Sequence, residues 1–189
     1  MWDERQDHWD DWATPLRPID TDIKLFENEL KDCKKILLLG ATPELIQLAT
    51  DNADSVTNGI DWFNMPYEKE SFDAIIGDGV LTVVGPTLID TVKPFIKKGG
   101  KLIIRVFLQN NSTKHTDNFL IKKFQGWNKT WLPVSEIYAK YGDTPTTKEY
   151  KYSDESYFFA NLEDLPRPNN IQYPNYDFGE YFPVITWIV

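Results

Sequence analysis

Apolar residues run unbroken from Ile36 to Leu39, stop at Gly40 and give way to ATPEL. A run without polar alternation predicts a strand buried on both faces, as in a parallel sheet covered by helices. Gly40 permits close backbone approach or an unusual φ. Thr42 or its neighbour suits the N-cap, Pro43 the first helical position and Glu44 the positive end of the helix dipole. The stretch therefore reads as strand, tight turn, helix. Amides of such a turn point out of the carboxyl edge of the sheet and commonly dock a nucleotide-like ligand. An ordinary βα turn without a ligand has the same pattern.

Similar periodicities organise the rest of the chain. DIKLFENELKD predicts a helix with Ile23, Phe26 and Leu30 on one face, capped by Asp20 or Thr21. PELIQLATDNAD predicts a helix with Leu45, Leu48 and Ala49 inward, and VTNGIDW a short strand. SFDAIIGDGVLTVV carries the next strand, with Phe72, Ala74, Ile75 and Ile76 running into Gly77, Asp78 and Gly79. LIDTVKPFIKKGGKLIIRVFLQ gives an amphipathic helix with a lysine-rich end, a Gly99-Gly100 turn and a buried strand from Leu102 to Phe107. From about residue 118 to 165 the pattern is mainly helical, including SDESYFFANLEDL, and YFPVITWIV is β-branched enough for a final core strand. Alternating strands and helices specify an α/β fold with a mostly parallel sheet and helices on both faces. One domain is expected, with an N-terminal helical segment (1–34), a core (35–108), and a helical insertion followed by final strands (109–189).

Composition narrows the function. The 189 residues suit one domain with a sizeable core. With 29 acidic against 20 basic residues the formal charge is −9, which repels a phosphate backbone, so no nucleic-acid partner is expected. A lone cysteine, Cys33, forms no internal disulfide and reads as a plain buried or half-buried thiol. Two distant histidines, His8 and His115, offer no metal cluster and read as surface or capping residues. The start, MWDERQDHWDDW, lacks an apolar signal core, and no run approaches the roughly 18 apolar residues of a membrane span. A soluble, cytoplasmic protein is the expectation. Trp2, Trp9 and Trp12 either dock on the domain's own core or cover a cleft.

Four ordered pieces carry a family resemblance: PLRP with Asp22 shortly after, LLLGATPEL (Leu37 to Leu45), DWFNMP with SFDAIIGDGVL (Asp61 to Leu81), and GGKLIIRVF (Gly99 to Phe107). Together they resemble the class I S-adenosylmethionine-dependent methyltransferases, nearest to a small bacterial group whose glycine loop reads LLLG-x-TPEL. The resemblance implies a Rossmann-like fold, S-adenosylmethionine as cofactor and a small-molecule methyl acceptor. It departs at one place. Phe72 follows Gly40 by 32 residues, where the family fold needs two βα units of roughly 30 residues each. The sheet is thus expected to be shortened between the first and fourth strands, with cofactor binding weakened unless a partner in a homo-oligomer covers the gap.

By the same resemblance, the amides of Gly40, Ala41 and Thr42, with Pro43 behind them, face the amino-acid part of the cofactor. Asp61 takes either the ribose or the adenine position, and Trp62 packs on the adenine. Asp78 and Gly79 close the strand that ends beside the reacting methyl, where Asp78 orients a substrate amine or the cofactor ammonium. Arg17 clamps the cofactor carboxylate or a substrate anion as a forked donor, with Trp12 assigned to the same group. Plainer readings exist for each: a turn aspartate, a core tryptophan, a loop-closing DG turn, a surface ion pair. Arg105, the lone charge in LIIRVF, requires a carboxylate partner, most simply a structural one. No catalytic base is singled out, because methyl displacement works mainly by alignment and exclusion of water. A degenerate, non-catalytic binding protein is the alternative.

Overall fold

A computed structural model describes residues 18–40, 42–59, 61–108, 160, 162–176, 179 and 182–189. Within them the elements run α1 (Asp20–Glu29), β1 (Lys35–Leu39), α2 (Pro43–Asn52), β2 (Ser55–Gly59), β3 (Phe72–Asp78), α3 (Val80–Val84), α4 (Thr87–Val92), a 3-10 turn (Lys93–Phe95), β4 (Ile96–Arg105), a second 3-10 turn (Leu162–Asp164), β5 (Asn170–Gln172) and β6 (Val184–Ile188). The described strands form one sheet in the order β2-β1-β3-β4-β6-β5. β2, β1, β3 and β4 are mutually parallel, and β6 runs antiparallel between β4 and β5.

Both faces are covered. Ile36, Leu38, Ala74, Ile76, Ile103 and Val184 pack with Phe26 and Leu30 of the α1 region and Leu45, Leu48 and Ala49 of α2. The alternate positions Leu37, Leu39, Ile75, Leu102, Ile104, Ile185 and Trp187 pack with Val80, Leu81, Leu88, Ile89 and Val92 of α3 and α4. Period-2 alternation sends neighbouring residues of one strand to opposite faces, so an unbroken apolar run fills two cores. Each fully buried leucine or isoleucine contributes about 1.5–3 kcal/mol. YFPVITWIV does supply a core strand, its Trp187 indole donating to the Pro166 carbonyl at 2.8 Å.

β2 lies beside β1 on the side away from β3. A doubly wound sheet ordered 3-2-1-4-5-6 has a third strand outside the second; among the described residues nothing occupies that place. The sheet is shortened where the sequence predicts, and VTNGIDW supplies the second strand.

Several boundaries differ from expectation. Ile19 is the N-cap of α1, and the Asp22 carboxylate accepts the Ile19 amide at 3.0 Å, so neither Asp20 nor Thr21 caps the helix. VLTVV leaves the β3 run as the short helix α3, because Gly79 at φ +62° turns the chain out of the sheet. The Gly99-Gly100 pair does not separate two elements. It lies inside β4, where the ladder with β3 shifts register between Phe72↔Ile96 and Ala74↔Lys101, and where Gly99 and Gly100 bond Val189. The helices expected from 118 onward lie outside the described residues, except that the end of SDESYFFANLEDL is a 3-10 turn and Ala160 bridges Leu108. No helix among the described residues is long and apolar enough to cross a membrane.

Candidate functional site

The site is assembled where β1, β2, β3 and β4 end. β1 stops at Leu39, and Gly40 takes φ +62°. That value costs an L-residue roughly 1–2 kcal/mol, and a Cβ there would lie 3.2 Å from the Trp62 ring and 3.6 Å from Val80. Thr42 is buried and caps α2, its hydroxyl accepting the Leu45 amide at 3.4 Å, with Pro43 at the helix start and Glu44 in the first turn. This follows the expected grammar of the strand, turn and helix.

Asp61 lies two residues beyond the end of β2, in an exposed turn where its Oδ1 accepts the Phe63 amide at 3.2 Å. Trp62 points back: half-buried, it packs on the core beneath α3 and α4 and over Gly40. The turn after β3 meets the same place. A Cβ on Gly77 would lie 2.9 Å from Val80 and 3.4 Å from Leu39, so Gly40, Trp62, Gly77 and Val80 share one contact region.

Asp78 is buried behind it. It is the register partner of Arg105 on β4, and the two side chains emerge on the face covered by α1. Arg105 donates from Nε to Asp78 Oδ1 at 2.6 Å and from Nη2 to Oδ2 at 3.0 Å, and from Nη1 to Asp22 Oδ2 at 3.3 Å. The Tyr176 hydroxyl donates to Asp22 Oδ1 at 3.2 Å. Burial pushes the Asp78 carboxyl above its ordinary range against the pull of Arg105, with Asp22 and Glu44 adding repulsion. Asp22 is raised as well, chiefly by burial, and so is the Tyr176 hydroxyl. Burial works to lower the Arg105 pKa, but Asp78 and Asp22 outweigh it, and the guanidinium stays charged.

Of the residues singled out from the sequence, Gly40, Thr42, Pro43, Asp61, Trp62, Asp78 and Gly79 are thus distributed along one edge of the sheet. Gly40 and Trp62 are in contact, whereas Asp61 faces solvent. Ala41, Arg17 and Trp12 lie outside the described residues. Sequence reasoning foresaw a carboxylate for Arg105 but neither of its identities, and Tyr176 carried no signal.

No family model matches the chain, and no match was found among curated proteins. Solved structures do resemble it. A SAM-dependent methyltransferase from Thermotoga maritima superposes with a TM-score of 0.55 at 15% identity, covering 100% of this chain and 99% of the other. A chain named as a zinc-dependent alcohol dehydrogenase, from Rhodobacter sphaeroides, superposes with a TM-score of 0.59 at 11% identity, covering 98% and 95%. A SAM-dependent methyltransferase from Aquifex aeolicus gives 0.46 at 11% identity, covering 98% of each chain. At these identities the likeness is one of fold alone: the chain has a Rossmann-like fold, shared with the first two of these structures.

The residues at the edge fit a cationic nucleoside cofactor in two respects. The Gly40 turn brings backbone close to the site without a side chain of its own, and Asp61 and Glu44 add carboxylates at the strand ends, where the charge of Asp78 is matched by Arg105.

Proposed function

We propose that the protein is an S-adenosylmethionine-dependent methyltransferase acting on a small molecule, with the whole chain as one methyltransferase-like domain. The observation that carries this reading is the position of β2. It lies parallel to β1 on its outer side, so that Asp61 follows the second strand two residues beyond Gly59, the register partner of Leu39. In this reading Asp61 holds the ribose hydroxyls, which selects between the two positions open to it from sequence. Trp62, already against Gly40, forms the wall for the adenine. The amides from Gly40 to Thr42 hold the amino-acid part, with Arg17 and Trp12 at its carboxylate. Asp78 and Gly79 border the reacting end. The cofactor supplies an activated methyl on a sulfonium, and the chain supplies alignment and exclusion of water.

The second reading is a methyltransferase-like binding protein without catalysis. The place outside β2, unfilled among the described residues, and the 32-residue spacing from Gly40 to Phe72 favour it, since a missing strand-helix unit would leave the adenosine side open. Titration calorimetry with S-adenosylmethionine and its demethylated product separates the two. Micromolar binding, weakened tenfold or more by Asp61→Ala (about 1.4 kcal/mol), is the expected result. No heat and no thermal shift at millimolar ligand would sink the cofactor site and leave the second reading.

A further inference from the structure

We infer that Arg105 is a positioning residue for the carboxyl-edge site, holding the turn after β3 in the shape a ligand meets; this rests on the methyltransferase reading above. Arg105 grips both halves of that turn. Its side chain forks onto the two oxygens of Asp78, and its own carbonyl accepts the Gly79 amide at 2.9 Å. Gly79 has no side chain to hold the turn, and at φ +62° it cannot readily acquire one: a Cβ would lie 3.2 Å from the Phe107 ring. The next residue, Val80, touches the Gly40 turn. Contacts therefore run without a gap from Arg105 through Gly79 and Val80 to the first ligand-facing turn.

The guanidinium is itself fixed from three sides. Asp22 of α1 accepts from Nη1, and the rings of Phe107 and Phe182 lie 5.3 and 5.9 Å from its centre. Asp22 in turn is held by the Ile19 amide and the Tyr176 hydroxyl. Among the described residues, Arg105 is the one cation within hydrogen-bond distance of either buried carboxylate. Burying two carboxylates around one guanidinium is a poor route to stability, since apolar residues of similar volume often do as well or better. Its fixed fork geometry is what such a cluster provides. The expense falls at the edge where ligands bind, and on the residue that touches both halves of the turn.

The test compares the full-length chain with Arg105→Lys and Asp22→Asn by amide hydrogen exchange. Arg105→Lys keeps the charge and loses the fork, so exchange at Gly79 should accelerate tenfold or more relative to Ile75 in the centre of β3. The Gly40 amide resonance should shift with it. Asp22→Asn leaves the Asp78 pair intact and should accelerate Gly79 severalfold, which keeps the proposal testable if the lysine variant does not fold. Acceleration at Gly79 no greater than at Ile75 in both variants, each relative to wild type, would overturn it. Calorimetry with S-adenosylmethionine adds the ligand readout, taken at a temperature where every variant is folded. Arg105→Lys should bind tenfold or more weakly, and wild-type affinity in a merely less stable Arg105→Lys would show a structural role alone. If the wild type binds no S-adenosylmethionine, the methyltransferase reading fails, and the exchange comparison still decides whether Arg105 sets the turn.

Discussion

β3 carries an aspartate near each end, and the two are opposite in kind. Asp73, near the amino end, accepts the amides of Lys34 and Lys35 at 3.0 and 2.8 Å and the Lys97 ammonium at 2.6 Å. Burial works to raise its pKa, but the Lys97 bond and the two amides outweigh it and hold the carboxyl below the ordinary value of 3.8. Asp78, at the carboxyl end, has a bidentate arginine and is nevertheless pushed upward, because burial wins. One aspartate staples β1 to the strands beside it and is most at ease ionised. The other is kept charged against its surroundings. The amino edge of this sheet is built for stability and the carboxyl edge for holding groups that would otherwise not be there.

The largest effect should come from removing the cation at the carboxyl edge. Arg105→Met leaves Asp22 and Asp78 buried without their partner and should cost about 3–5 kcal/mol in urea unfolding. Adding Asp78→Asn to that variant should recover part of the loss, since the uncompensated charge and not the missing packing dominates. An equal loss in the double variant would show that packing around Phe107 and Phe182 carries the site.

The apolar grammar was largely legible before the structure: β1, its turn, α2 and the closing strand all follow from runs and caps a few residues long. Arg105 announced itself as a charge inside LIIRVF. Its partners did not, because Asp78 and Asp22 are 27 and 83 residues away and reach it only through strand register and the packing of α1. Gly99 and Gly100 show the reverse failure. Their local chemistry says turn, and Gly99 does take φ +79°, but β4 runs on through them between its Ile96 and Lys101 pairs with β3, both glycines bonding Val189 instead. VTNGIDW left Asp61 open to two positions, and the pairing with β1 shows that Asp61 follows the strand beside β1.

At the amino edge, Asp73→Ala should cost about 1.5–2 kcal/mol, the worth of hydrogen bonds to a charged acceptor, by leaving the Lys34 and Lys35 amides without it. pH separates the two aspartates by sign. Asp73 has a lowered folded pKa, so its contribution is complete above about 3.8 and is lost as pH falls toward the folded value. Asp78 has a raised folded pKa, so the folded chain gains relative stability as pH falls through that value toward 3.8. Urea midpoints from pH 7 to 3 should therefore show the wild type losing its advantage over Asp73→Ala only below about pH 4. Measured against Asp78→Asn, the wild type should improve on acidification before that point. Parallel curves for the two variants would remove the contrast.

The smallest effect is the most discriminating test of what the staple consists of. Lys97 makes the shortest contact with Asp73, yet its side chain is 48% exposed. An ion pair in that setting gains little, because water screens it and a long side chain must be ordered to form it; pairs of this kind are worth about 0.2–1 kcal/mol. The Lys35 amide is already fixed in β1 and the Lys34 amide directly precedes it, so they lose little freedom by donating. Lys97→Met should therefore cost about 0.5 kcal/mol or less at low salt, fading further in about 1 M sodium chloride, where the Debye length is about 3 Å. Asp73→Ala should keep most of its effect under the same conditions. If the two variants lose the same amount, the ammonium and not the amides holds Asp73, and the amino edge would depend on a paired charge just as the carboxyl edge does.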